Sequence, residues 1–216
     1  MERTLAMALV LLLPACAGVA APPQAARQLF NGKDLSGWEQ VGPGSFTVEE
    51  GLLKSHGGMG LLWYTREKIG NAVLRVVYKV SKPDTNSGVF IRIADRPKDE
   101  WYAVHHGYEV QILDQGPDDW HRTGALYSLS KAVAKASKPV GEWNTLEITL
   151  VGQRTVVALN GTKVNDFRGD QPVPPRQHWY EPKRGPRPDL GYIGLQNHDD
   201  ASSVYFKEVS VLPLKK

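Results

Sequence analysis

The chain has 216 residues, of which 21 are glycine and 15 proline, with one cysteine and a formal net charge of +3. That length holds one sizeable domain behind a processed leader. The mild charge, without a block of Lys and Arg, excludes the footprint of a nucleic-acid binder, and a lone cysteine excludes a disulfide framework or a thiolate metal site.

The leader comes first. Arg3 is a short positive region, and Leu5 to Leu13 is an apolar run that ends at Pro14, too short to cross a bilayer as a helix. Small residues follow, and Cys16 closes the segment in the context Leu13-Pro14-Ala15-Cys16, which resembles a bacterial lipoprotein box. Two outcomes stay open for residues 1–21: lipidation of Cys16, or cleavage after Ala20 or Ala21 with release into the periplasm. Both imply export, and any membrane contact is through the lipid alone. Residues 22–28 read as a tether and 29–214 as the folded domain.

From Leu29 on, the pattern is of short strands and turns. Strands are expected at 46–48, 52–54, 61–64, 72–80, 89–94, 108–113, 125–129, 144–151, 155–159, 191–196 and 204–212. Hairpin turns are expected at 150–155 and, more strongly, at Asn160-Gly161. Lys131 to Lys138 suits a helical turn or a loop over a sheet edge. Gln171 to Asp189, with six prolines, suits a long surface loop near the mouth of a site. No window sustains a helical stripe, so the fold class is all-β, a sandwich or jelly roll of two antiparallel sheets.

Two strands concentrate chemistry. In Ser87 to Ile93, Val89, Ile91 and Ile93 face one way, and Phe90 and Arg92 the other. In Gly107 to Asp114, Tyr108, Val110 and Ile112 face the core while Glu109 and Gln111 share the opposite face. Such a face is normally wet, and here it reads as the lining of a polar groove suited to sugars. Gly194, Gln196 and His198 share a polar face in the same way, opposite Ile193 and Leu195. Trp101, Trp120 and Trp179 lie in polar loops where their faces suit sugar stacking, whereas Trp38 and Trp143 read as core. His105, His106 and His121 offer a divalent-metal site beside Glu109 or Asp114, although no ligand spacing supports one; no other cofactor is implied.

Several runs together resemble the 3-keto-disaccharide hydrolase domain family: Leu29 to Trp38, Ser87 to Arg92, Tyr108 to Asp114, Thr123 to Tyr127, Gly141 to Asn144, Leu159 to Gly161, and Gly194 to His198. They stand in family order over nearly all of residues 29–212. One departure is Asp199, where the family usually has Gly. The resemblance implies a concanavalin-like jelly roll acting on oxidised oligosaccharides and 3-keto-glycosides. A ketone at C3 acidifies the C2 proton, so deprotonation, β-elimination at C1 and rehydration give net hydrolysis, or lyase action if the unsaturated product escapes. The roles then expected are Glu109 or His198 as base and acid, Arg92 and Gln111 as enolate and hydroxyl binders, and Asp114 as second carboxylate. Gln196, Tyr127, His106, Trp120 and Trp179 are the further substrate contacts. Two rivals are a laminarinase-like retaining hydrolase, with Glu109 and Asp114 close on one face, and a non-catalytic carbohydrate-binding module.

Overall fold

A computed structural model of the chain describes residues 25–201 and 203–215; the leader, with Cys16 and the two cleavage alternatives, lies outside the described residues. Among these residues the strands are β1 (Arg27–Gln28), β2 (Trp38–Val41), β3 (Ser45–Glu49), β4 (Leu52–His56), β5 (Gly60–Tyr64), β6 (Ala72–Val80) and β7 (Ser87–Ile93). A short helix, α1 (Glu100–His106), precedes β8 (Tyr108–Ile112), β9 (Asn144–Val151), β10 (Arg154–Leu159), β11 (Thr162–Arg168), β12 (Tyr192–Asn197) and β13 (Val204–Pro213). One sheet runs β11-β10-β9-β6-β13-β4-β3 with β1 added beside β13, and the other runs β2-β5-β12-β7-β8. All pairings are antiparallel, so the all-β sandwich expected from the strand pattern is the fold.

Period-two alternation builds the core between the sheets. Leu74, Val76 and Tyr78 of β6 and Leu146, Ile148 and Leu150 of β9 meet Val89, Ile91, Val110 and Ile112 from the facing sheet, all buried. Each such aliphatic contributes about 1.5–3 kcal/mol when taken fully out of water. Asn160 and Gly161, with φ of 51° and 81°, make the β10–β11 turn, the pair of left-handed residues that a tight hairpin of this twist requires.

A second, smaller apolar cluster lies on the outer face of the five-stranded sheet. Leu61, Trp63, Phe90 and Ile93 are covered there by Ala103 and Val104 of α1. Asp99 caps this helix by accepting from the Tyr102 amide at 2.8 Å. The face read as wet from the alternation is therefore roofed, and this roof makes the site.

Other expectations are corrected by local irregularities. Opposite the single residue Ile193, β7 places both Ile91 and Arg92, because Phe90 pairs with Gly194 and Ile93 with Tyr192. Arg92 takes the left-handed backbone (φ 54°) that this bulge needs. Ile93 is thereby turned to the side of Phe90, and Arg92 away from it. The run at 125–129 forms only isolated bridges, Val110 to Leu126 and Leu126 to Ser130. Strand β11 has the buried pair Val164 and Phe167 three apart because a register shift interrupts its ladder, which hides the period. Arg27 and Gln28, expected in the tether, pair with Val211 and Ser210. Trp143 is not core: the Lys79 and Lys207 amines lie 5.0 and 4.6 Å from its ring centroid. The Pro-rich segment is tied down by Arg187, which donates to the carbonyls of Gly107, His105, Gly185 and Lys183 and lies over the Tyr108 ring.

Arg92 is 1% exposed and donates to the carbonyls of Pro188 (3.2 Å), Gly152 and Arg154 (3.4 Å), joining the two sheets at one end of the sandwich. Its ion-pair partner Asp189, 3.5 Å away, is 60% exposed, so the carbonyl bonds should dominate. Arg92→Leu is expected to lower the unfolding free energy by about 2–4 kcal/mol in chemical denaturation, and Asp189→Asn by less than about 1 kcal/mol. Equal losses would assign the stability to the ion pair instead.

Candidate active site

Glu109 lies on the roofed face of β8, paired across the ladder with Phe90, and its side chain leans over Gly88 on β7. Any β-carbon at position 88 would overlap the Glu109 carboxyl, so the glycine is the space the acid occupies. Beyond Leu113 the chain folds back along the free edge of β8: Gln111 donates its amide to Ala125 O at 3.0 Å, and Tyr127 donates to Glu109 O at 3.0 Å. This return places the Tyr127 ring beside Glu109. Strand β12 brings Gln196 and His198 from the other side, its end held by Asn197, which donates to the carbonyls of His56 (2.6 Å) and Gly57.

These elements enclose a cavity of about 350 Å³. Glu109, Gln111, Gln196, His198, His121, Tyr127 and Asn86 supply its polar groups. Met59, Val104 and Leu113 are apolar walls, and Trp101 and Tyr180 stand toward solvent. Glu109 is 6% exposed and has no hydrogen-bond or ion-pair partner among the described residues. Burial alone pushes its carboxyl up from 4.5 to about 8, so it is a neutral acid near pH 7. Burial and the nearby Glu109 also push the Tyr127 phenol up, leaving it a hydrogen-bond donor at all working pH. Gln111 Nε2 donates to Asn86 Oδ1 at 2.7 Å. The buried Gln196 Oε1 has no partner, an orphan acceptor of the kind a ligand hydroxyl satisfies. His198 Nδ1 lies 2.9 Å from Asp199 Oδ2. The carboxylate accepts, so Nδ1 carries the proton and Nε2 is left as the basic nitrogen.

Of the residues expected here, the structure gathers Glu109, Gln111, Gln196, His198 and Tyr127. Arg92 is not among them, since the bulge turns it toward the other sheet. Nor is Asp114: no bulge returns it to the Glu109 face, it accepts from the Thr123 and Ser137 hydroxyls, and it lines a separate cavity with Arg122 and Lys135. The paired carboxyls of a retaining glycosidase are thus not assembled. His106 stacks on Tyr102 at 4.5 Å outside the cavity, Trp120 borders a neighbouring hollow, and Trp179 packs on Trp101 at 4.8 Å beyond the cavity wall. The three candidate metal ligands diverge: His105 donates to Trp179 O, His106 lies against Lys183, and His121 faces Asp118. No metal-binding group of three or more His, Cys, Asp or Glu occurs among the described residues. Asn86 and Tyr180 also line the cavity and carry no strand signal of their own; Asn86 directly precedes the Ser87-Gly88 motif, and Tyr180 adjoins Trp179.

The model of the 3-keto-α-glucoside-1,2-lyase-like domain matches residues 25–212. The chain belongs to this family. The motifs running from Leu29 to His198 are therefore those of a 3-keto-α-glucoside-1,2-lyase-like domain, and its function is carbohydrate-related. Among solved structures, two candidate glycosyl hydrolases of Parabacteroides distasonis are similar. One is 26% identical with a TM-score of 0.70, covering 88% of this chain and 100% of that one; the other is 24% identical with a TM-score of 0.70, covering 88% and 94%. A carbohydrate-binding module, CBM66 of Bacillus subtilis, shares the fold at 16% identity and a TM-score of 0.52, covering 80% and 93%. No curated protein matches the sequence.

The buried acid has a consequence for stability. Its folded pKa, about 8, lies above the ordinary 4.5. The folded state therefore keeps a proton that the unfolded chain releases, and stability falls as pH rises from about 4.5 to about 8. Glutamine keeps the volume and never ionises. Thermal melts of Glu109→Gln should match the wild type at about pH 4 and below, where both states keep the proton, and exceed it at pH 8 and above. A melting temperature below that of the wild type at pH 8 would contradict the burial of an unpaired acid.

Proposed function

We propose that this domain cleaves 3-keto-glycosides by elimination across C1 and C2. The observation that carries this reading is a neutral, partnerless carboxylic acid sharing one small cavity with a histidine whose tautomer is fixed by a carboxylate. A general acid and a general base are the two groups such a reaction requires. Family membership supports the substrate class. A binding module has no need of a buried acid that costs stability above its ordinary pKa.

His198 Nε2 takes the proton from C2, and the C2–H electron pair moves into the carbonyl to give an enolate oxygen at C3. The Tyr127 hydroxyl donates to that oxygen, the position Arg92 was expected to fill. The enolate then collapses, the C1–O bond breaks, and the Glu109 carboxyl gives its proton to the departing oxygen. The ring is left with a C1–C2 double bond conjugated to the C3 ketone. Water restores the 3-keto sugar: the Glu109 carboxylate takes a proton as the hydroxyl adds at C1, and His198 returns its proton to C2. If the unsaturated sugar leaves first, the same residues act as a lyase. The Asp199 carboxylate offsets the positive charge that His198 gains. Gln111 and Gln196 hold ring hydroxyls.

Turnover of a 3-keto-glucoside by Glu109→Gln should fall by roughly 10²- to 10⁴-fold while substrate affinity changes little. The wild-type rate should decline as pH rises through about 8, where the acid is lost. The plain glucoside, which lacks the acidified C2 proton, should not be cleaved. Equal rates on both substrates, or near-wild-type turnover by the variant, would overturn the mechanism.

We further propose export, on the strength of the leader pattern at residues 1–21 alone. Mass spectrometry of the native protein should show either an acylated Cys16 or an N-terminus after Ala20 or Ala21; an intact Met1 terminus would contradict it.

A further inference from the structure

The cavity leaves one conspicuous surface unexplained. Trp179 is 64% exposed and Tyr180 39% exposed, adjacent in the Pro-rich segment, and Tyr180 lines the cavity together with Trp101. Solvated aromatic faces of this size mark a binding surface when they are contiguous and held in place. These are held. Trp179 packs on Trp101 with ring centroids 4.8 Å apart, and Tyr180 stands edge-on to Trp179 at 5.9 Å. Trp179 O accepts from His105 Nε2 at 2.9 Å and from the Arg176 guanidinium. Beyond Tyr180, Glu181 accepts from the Gln177 amide at 3.0 Å and from Arg184 at 2.8 Å. The aromatic faces are thus fixed before any ligand arrives, which lowers the entropic cost of binding.

The two ends of the site differ in chemistry. Its inner end carries Glu109, Gln111, Gln196 and His198, suited to the hydroxyls and ketone of one sugar. Its outer end is aromatic. A volume of about 350 Å³ is at the small end for ligand pockets, roughly 300–1,000 Å³, so a second ring extends past the cavity wall onto the aromatic faces.

We infer that Trp101, Trp179 and Tyr180 form the subsite for the leaving group, and that this leaving group is a ring with a flat apolar face rather than a short alkyl chain. This rests on the reading that the cavity holds the oxidised sugar ring. A sugar ring and an aryl group share the chemistry that the platform recognises, and the ligands below separate them.

The test is calorimetric binding to the slow Glu109→Gln protein of three 3-keto-α-glucosides, bearing glucose, phenyl or methyl at C1. The glucose or phenyl compound, or both, should bind about 5- to 10-fold more tightly than the methyl compound, and adding Trp179→Ala should remove that advantage while the methyl compound's affinity stays within about twofold. A gain for glucose alone assigns a disaccharide, and a gain for phenyl alone an aryl glycoside. Equal binding of all three, no binding of any, or an equal loss for all three on Trp179→Ala would overturn the subsite. Turnover by the wild-type protein is a separate readout. Binding differences as expected with all three compounds left intact would refute the cleavage reading and keep the subsite, whereas cleavage without those differences would refute the subsite alone.

Discussion

The structure turns on one electrostatic constraint, a carboxyl group buried with no opposing charge. Taking an ionised carboxylate out of water without a partner is too costly for a marginally stable domain, so the group stays protonated instead. Several features that look unrelated serve this one condition. Gly88 leaves room for the side chain. Helix α1 covers the sheet face with Ala103 and Val104. The return of the chain from Gly124 to Tyr127 along β8 closes the edge. The burial that costs stability above pH 4.5 is the same burial that keeps a proton available at neutral pH.

The placement of the other charged groups follows the same logic. An arginine within about 4–6 Å of Glu109 would hold it ionised and remove its proton-donating capacity near neutrality. The bulge at Ile91 and Arg92 prevents this by sending the guanidinium to the carbonyls at the far side of β7. Asp114, likewise, is satisfied by Thr123 and Ser137 in another cavity. What remains beside Glu109 is neutral or weakly basic: two glutamines, a phenol, and histidines whose Nδ1 protons are held by Asp118 and Asp199. That set suits proton transfer better than the charge-clamped site that the strand alternation suggested.

Much of the framework was legible in the sequence because strand burial has a period of two. The runs at 72–80 and 144–151 coincide with β6 and β9, and the inward residues Val89, Ile91, Val110 and Ile112 were identified by alternation alone. Glu109, Gln111, Gln196 and His198 were found as polar members of their strands, and all line one cavity. Alternation fails where the backbone gains a residue. The bulge in β7 misplaced Arg92 and Ile93, and the shift in β11 concealed a strand. Nor can alternation report what covers a face. Alternation leaves Glu109 on a solvated face because its cover comes from a seven-residue helix and two loops without periodicity, and the aromatic pair Trp179 and Tyr180 gains its meaning only with the Pro-rich loop set against α1.

The most direct measurement is the ionisation of Glu109 itself, followed by the carboxyl stretch in infrared difference spectra of the wild type against Glu109→Gln across pH. The account predicts a protonated carboxyl band at pH 7 that disappears with a midpoint near pH 8. A carboxylate already formed by pH 6, titrating near 4.5, would show that the acid is solvated or paired in solution and would remove the basis for its role as proton donor.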